Sequence, residues 1–152
     1  MRRLFVMAAI LSALVGYVGT TAQAASPGVV MYGNWCGPGV GSYGLPPIDP
    51  LDTACMRHDT CYVVSGTAAC ECDVAFMREV RAIIYPNEQT YVQARAMYDA
   101  LAMMPCDDPA GWALKQSLMW SDIADDALSG RATPFEVPAR WMYLFSRSSP
   151  KY

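Results

Sequence analysis

Several absences narrow the function of this 152-residue chain before any motif is considered. It has one histidine, and its six cysteines do not form two separated C-x-x-C pairs, which argues against a zinc site. Lys and Arg number 11 against 14 Asp and Glu, so there is no basic excess and bulk electrostatics gives no reason to expect nucleic acid or a strongly anionic membrane as partner. There is no internal repeat, no low-complexity tract and no convincing alternation of apolar and polar residues that would mark a half-buried strand. The longest apolar run, Leu4 to Val18, is short for a bilayer span of ~20 residues, and no cationic stop follows it. A chain of this length accommodates one domain with a real core, not two.

That apolar run has another reading. Arg2 and Arg3 precede it, and Ala22-Gln23-Ala24 supplies the small-x-small pattern cut by a signal peptidase. Residues 1–25 are therefore expected to be a secretory signal cleaved near Ala24 or Ala25, and residues 26–152 the functional domain. The Arg-Arg start also suits a twin-arginine route, over which general secretion is preferred. Without Arg2 and Arg3, nine basic residues face fourteen acidic ones, a net charge of about −5. All six cysteines lie beyond residue 25, and an even count behind an export signal reads as three disulfides in a secreted protein, extracellular or periplasmic.

Glycine and proline are dense from Ser26 to Pro50, which is loop chemistry. From Asp49 the pattern turns helical. Leu51, Cys55, His58 and Tyr62 fall at i, i+4, i+7 and i+11, with Asp49 placed to cap the helix and Pro50 at a permitted first position, and Ser65-Gly66-Thr67 ends it. A second helix is expected from about Ala68 to Tyr85, with Asp73, Phe76, Met77, Val80 and Ile84 on one stripe and Pro86 as its stop. The short connection makes the two an antiparallel hairpin. Further helices are expected near Glu88 to Met104, Gly111 to Leu128 and Pro138 to Phe145, separated by Pro105, Pro109 and Pro134. The apolar residues Met97, Leu101, Met103, Met104, Trp112, Leu118, Met119 and Trp120 read first as core and second as a lipid-facing surface. The fold class is a small, disulfide-stapled all-α domain.

The chemistry gathers around the single histidine. His58 and Asp59 are adjacent on a helix, so their side chains diverge by about 100°. Cys55 lies one turn before Asp59. A Cys36–Cys55 bridge would fasten the glycine-rich loop beneath that carboxylate, and a fixed carboxylate facing backbone carbonyls is an oxygen-only site that suits calcium. A Cys61–Cys72 bridge across the hairpin would bring Asp73 to the His58 ring. Cys70–Cys106 is then the remaining pair, reasonable because Cys70 and Cys72 diverge on a helix and need different partners. Each feature alone has a bland reading: a packed histidine, a chance His-Asp pair, an ordinary loop. Their convergence favours a site.

The stretch Tyr32-Gly33-Asn34-Trp35-Cys36-Gly37-Pro38-Gly39 resembles the calcium loop of the secreted phospholipases A2. Asp52 to Tyr62 resembles their active-site helix, and Ala69-Cys70-Glu71-Cys72-Asp73 is similar to the start of their second long helix. The resemblance implies a calcium-dependent esterase acting on a phospholipid membrane or micelle surface. In that reading His58 is the general base, Asp73 orients its ring, and Tyr62 bonds Asp73. Asp59 with the carbonyls of Trp35, Gly37 and Gly39 would hold Ca²⁺, with the Gly37 N–H assisting at the oxyanion.

This chain departs from the pattern in three places. Val40 stands where glycine is usual in the loop. Seven residues, Val63 to Ala69, separate Tyr62 from Cys70, where animal members carry a long insertion and a second active-site tyrosine. The helices from Glu88 onward match nothing in the family, and the whole is closer to compact plant or microbial members. Two other classes compete with an esterase. One is a non-catalytic phospholipase-like module that binds lipid or a receptor or acts as a toxin, which would tolerate loss of His58 or Asp59; the other is a disulfide-stabilised structural protein without a site.

Overall fold

The computed structural model describes residues 28–40 and 44–151, so the expected signal at 1–25 lies outside them. Five helices follow in order: α1 (Pro50–Ser65), α2 (Cys70–Ala82), α3 (Glu88–Met103), α4 (Pro109–Leu128) and α5 (Glu136–Arg147). Their boundaries follow from local chemistry. Asp49 caps α1 by accepting from the Asp52 N–H, Asn87 caps α3 through Thr90, and Asp108 caps α4 through Gly111. Pro50 and Pro109 each open a helix, where a missing N–H costs nothing. Pro109 therefore begins α4 instead of separating it from α3, two residues before the expected start.

The sequence pattern carries α2 to Tyr85, but the helix stops at Ala82. Pro86 explains the difference, since its ring clashes with the carbonyl four residues back, which belongs to Ala82. Ile84 consequently leaves the apolar stripe and is 96 % exposed. The freed Val80 carbonyl accepts from the Tyr85 hydroxyl at 2.8 Å. One element is absent from the sequence reading altogether. Two three-residue strands, β1 (Gly28–Val30) and β2 (Ser149–Lys151), pair antiparallel with Val29 opposite Pro150. Three residues are too few to display alternation.

The hairpin of α1 and α2 is antiparallel, with Cys61 bonded to Cys72 near its turn and Arg57 paired with Glu79 farther along. The other disulfides are Cys36–Cys55 and Cys70–Cys106. Helix α3 lies centrally against α2, α4 and α5. Its Ala94, Ala96, Met97, Tyr98 and Ala102 share one core with Leu51 and Ala54 of α1, Met77 and Val80 of α2, Met119 and Ile123 of α4, and Leu144 of α5. Of the C-terminal apolar residues expected in the core, Met97 and Met119 are buried and Leu101 and Leu118 pack at its edge. Met103, Met104, Trp112 and Trp120 are exposed, because small alanines and buried charges occupy the inner positions of these helices. Arg140 of α5 donates to Asp99 of α3 at 3.0 and 2.6 Å, and Arg95 stands 3.2 Å from Asp126 of α4. Buried ions of this kind are tolerable only when paired. Among the described residues, no helix is long and apolar enough to cross a membrane.

Candidate active site

The α1–α2 hairpin brings three side chains to one carboxylate. His58 Nε2 lies 2.8 Å from Asp73 Oδ1, and the Tyr62 hydroxyl, one turn along α1, donates to the same oxygen at 2.5 Å. Lys115 Nζ of α4 reaches Asp73 Oδ2 at 2.5 Å and the Met104 carbonyl at 2.7 Å. Asp73 is 1 % exposed and Lys115 fully buried. Burial pushes the Asp73 carboxyl up, but the bonds from His58, Lys115 and Tyr62 outweigh it and hold the group below its ordinary value. Burial, then the bond to Asp73, raises the Tyr62 hydroxyl and keeps it a donor.

The His58 ring sits between the Tyr62 ring at 4.3 Å and the Phe76 ring at 5.3 Å. A carboxylate can only accept, so the network assigns the ring proton to Nε2 and leaves Nδ1 as a lone pair. Asp59 Oδ1 is 3.8 Å from Nδ1, beyond hydrogen-bond length, and acts on the ring through charge. Burial pulls the imidazole down, yet Asp59 and Asp73 together raise it above its ordinary value.

The glycine-rich loop is shaped by a residue outside this set. Asp52, fully buried in the first turn of α1, accepts from the N–H groups of Asn34 at 3.1 and 3.0 Å, Trp35 at 2.8 Å and Ile48 at 3.0 Å. Gly33 answers it: with φ +54°, a Cβ there would stand 2.4 Å from the Asp52 carboxyl carbon. Gly37 runs against β1, where a Cβ would lie 1.9 Å from the Val29 carbonyl oxygen. The Trp35 indole N–H donates to the Leu45 carbonyl at 3.0 Å, tying the loop to the segment that leads into α1.

Comparison with known proteins bears on this arrangement. Over 55 residues the chain is 40 % identical to Phospholipase A2-delta of Arabidopsis thaliana, and equally to Phospholipase A2-gamma of the same plant. Over that stretch the chain is similar to plant phospholipases A2. The matched stretch is 36 % of the chain, and it spans only 29 % of the length of each of these relatives. No family model matches, and no solved structure matches significantly.

In the candidate site, His58, Asp73 and Tyr62 are in contact and Asp59 adjoins the ring. Trp35, Gly37 and Gly39 lie on the loop fastened to α1 at Asp52 and Cys55, and Asp59 stands one turn beyond that anchor. The donor set is compatible with a calcium ion. Among the described residues no donor satisfies the Asp59 carboxylate, the Trp35 and Gly39 carbonyls accept no backbone bond, and the Gly37 carbonyl keeps a second lone pair beside its bond from Val40. Cys70, Cys106 and Asp107 also cluster, but the two sulfurs are bonded to each other and are not thiolate ligands. A surface hollow of about 350 Å³ lined by Cys70, Glu71, Val74, Arg78 and Leu114 includes none of His58, Asp59 or Asp73.

Two residues escaped the sequence reading. Asp52 carries a faint signal, an acid in the first helical turn facing a glycine loop. Lys115 carries a clearer one. It falls on the buried stripe of α4 with Met119, Ile123 and Asp126, and a lysine among core positions needs a buried partner.

Proposed function

We propose that the chain is a calcium-dependent phospholipase A2 that hydrolyses the sn-2 ester of glycerophospholipids after export, with residues 26–152 as the catalytic domain. The observation that carries this reading is a histidine held through Nε2 by a buried carboxylate while its other nitrogen faces Asp59. The plant relatives, phospholipases A2 by name, add weight to the lipid ester as substrate. Three disulfides suit an oxidising compartment outside the cytosol.

His58 Nδ1 takes a proton from a water molecule as the water oxygen attacks the ester carbonyl carbon. Asp73 and Asp59 stabilise the imidazolium that forms, and Tyr62 keeps Asp73 aimed at Nε2. The imidazolium then returns its proton to the departing glycerol oxygen, releasing a fatty acid and a lysophospholipid. Asp59 and the carbonyls of Trp35, Gly37 and Gly39 would hold Ca²⁺. When bound there, the ion polarises the ester carbonyl and offsets charge on its oxygen. The Gly37 N–H, which has no acceptor among the described residues, is a donor for that oxygen. Leu45 and Ile48, both more than half exposed just after the loop, provide an apolar rim for a lipid surface.

The test is fatty-acid release from mixed phospholipid vesicles, with each product identified, in calcium and in excess chelator. Release of the sn-2 acid in calcium alone is expected. Vesicle binding without release would support the non-catalytic module instead, and undiminished release in chelator would overturn the metal assignment.

A further inference from the structure

Asp73 carries an unequal load. Its Oδ1 receives His58 and Tyr62, whereas among the described residues Oδ2 receives Lys115 alone. Two donors on one oxygen do not fix a carboxylate, because the terminal torsion of aspartate is broad and roughly two-fold. A third donor on the other oxygen does. We propose that Lys115 is a positioning residue of the reaction: by pinning Asp73 Oδ2 it fixes the carboxylate that orients His58. The inference rests on the hydrolytic reading above and assigns a role to α4, a helix that the family resemblance leaves unaccounted for.

The placement is engineered by the fold in several steps. The Cys70–Cys106 bridge ties the first residue of α2 to the segment that leads into α4. Asp107 reinforces it, accepting from the Cys70 N–H at 3.0 Å and donating its own N–H to the Ala68 carbonyl at 2.9 Å. Gly111 lets α4 close on α2, since a Cβ there would stand 2.6 Å from Cys70 Sγ. Lys115 is one turn beyond Gly111, and Asp73 is about one turn beyond Cys70, so the register that seats Gly111 on Cys70 seats Lys115 on Asp73. The Met104 carbonyl at the end of α3 takes a second ammonium proton and holds the side chain from behind.

An ion pair that served only stability would give a different pattern of variants, and a double-mutant cycle separates the two. Lys115→Met, Asp73→Asn and the double variant are compared in kcat, KM and calcium affinity on phospholipid vesicles. If Lys115 acts through Asp73, Lys115→Met lowers kcat by about a hundredfold, the scale of a small misplacement of a catalytic group. KM and calcium affinity change less than twofold. In the Asp73→Asn background the same substitution costs almost nothing further. If Lys115→Met does not fold, Lys115→Arg, which keeps the buried charge but moves the donor, takes its place in the cycle with the same expected outcome. The chain has one histidine, so the Nε2–H proton resonance at fixed pH is unambiguous, and it should broaden or move upfield in Lys115→Met. Wild-type kcat in folded Lys115→Met, an equal loss in both backgrounds, or an unmoved resonance would overturn the proposal. Absence of hydrolysis by the wild-type chain would sink the phospholipase reading instead, and the resonance would still decide the role of Lys115.

Discussion

Asp52 is neither base nor ligand in this account, yet its replacement should disable the site. Its carboxylate is fully buried and accepts from the backbone of Asn34, Trp35 and Ile48. Asp52→Asn keeps the shape and one oxygen, but turns an NH₂ group toward N–H donors on the other side. Trp35 depends on Oδ1 and Ile48 on Oδ2, so either orientation strands at least one backbone donor and weakens the bonds that remain. With roughly 1–2 kcal/mol for each charged acceptor lost or weakened across two to three bonds, the expected destabilisation is about 2–6 kcal/mol. The loop carrying Trp35, Gly37 and Gly39 should loosen with it, so calcium affinity falls although no ligand has changed. Gly33→Ala attacks the same contact from the other side and should give the same phenotype, since its Cβ would meet the Asp52 carboxylate. Urea unfolding and calcium calorimetry measure the two effects. A loss below about 1 kcal/mol with full calcium affinity would refute the reasoning.

Three further outcomes follow from the geometry. Replacing Cys36 and Cys55 by serine opens a loop of sequence separation 19 and should cost about 3 kcal/mol with a matching loss of calcium affinity, read by urea unfolding and calorimetry. In calcium-free protein the histidine should titrate above 6.5 by NMR. Its stabilising contribution is whole below 6.5 and fades as pH rises through the folded value, while that of Asp73 is present above 3.8 and is lost as pH falls through its lowered folded value. A histidine titrating below 6.5 would contradict the double-carboxylate setting. Hydrolysis should be much faster on vesicles than on monomeric short-chain lipid, and a net charge near −5 after export should leave only weak dependence on anionic lipid. Rates that track lipid charge steeply, without gain at an interface, would oppose this.

The helical hairpin was legible because its signals are local. Asp49-Pro50 starts α1, Gly66 ends it and Pro86 stops α2, all within a few residues of the boundary they set. The meeting of His58 and Asp73 was legible for a related reason, since a short turn and one bridge of sequence separation 11, Cys61–Cys72, join the two helices. What escaped depends on distant contacts. Lys115 meets Asp73 across 42 residues, and no spacing rule connects a lysine on α4 with an aspartate on α2. Asp52 escaped because its partners are backbone groups, which carry no sequence signature. The pairing of β1 with β2 joins segments at opposite ends of the described chain, and a ribbon that short has no periodicity to find.

The most direct test of a histidine-driven, calcium-assisted hydrolysis is fatty-acid release by His58→Gln, measured beside calcium calorimetry on the same folded preparation. Removing the base should leave Asp59 and the loop carbonyls untouched, so calcium should bind with wild-type affinity while turnover falls at least a hundredfold, the usual scale for a lost general base. Wild-type release from His58→Gln would contradict the account at its centre.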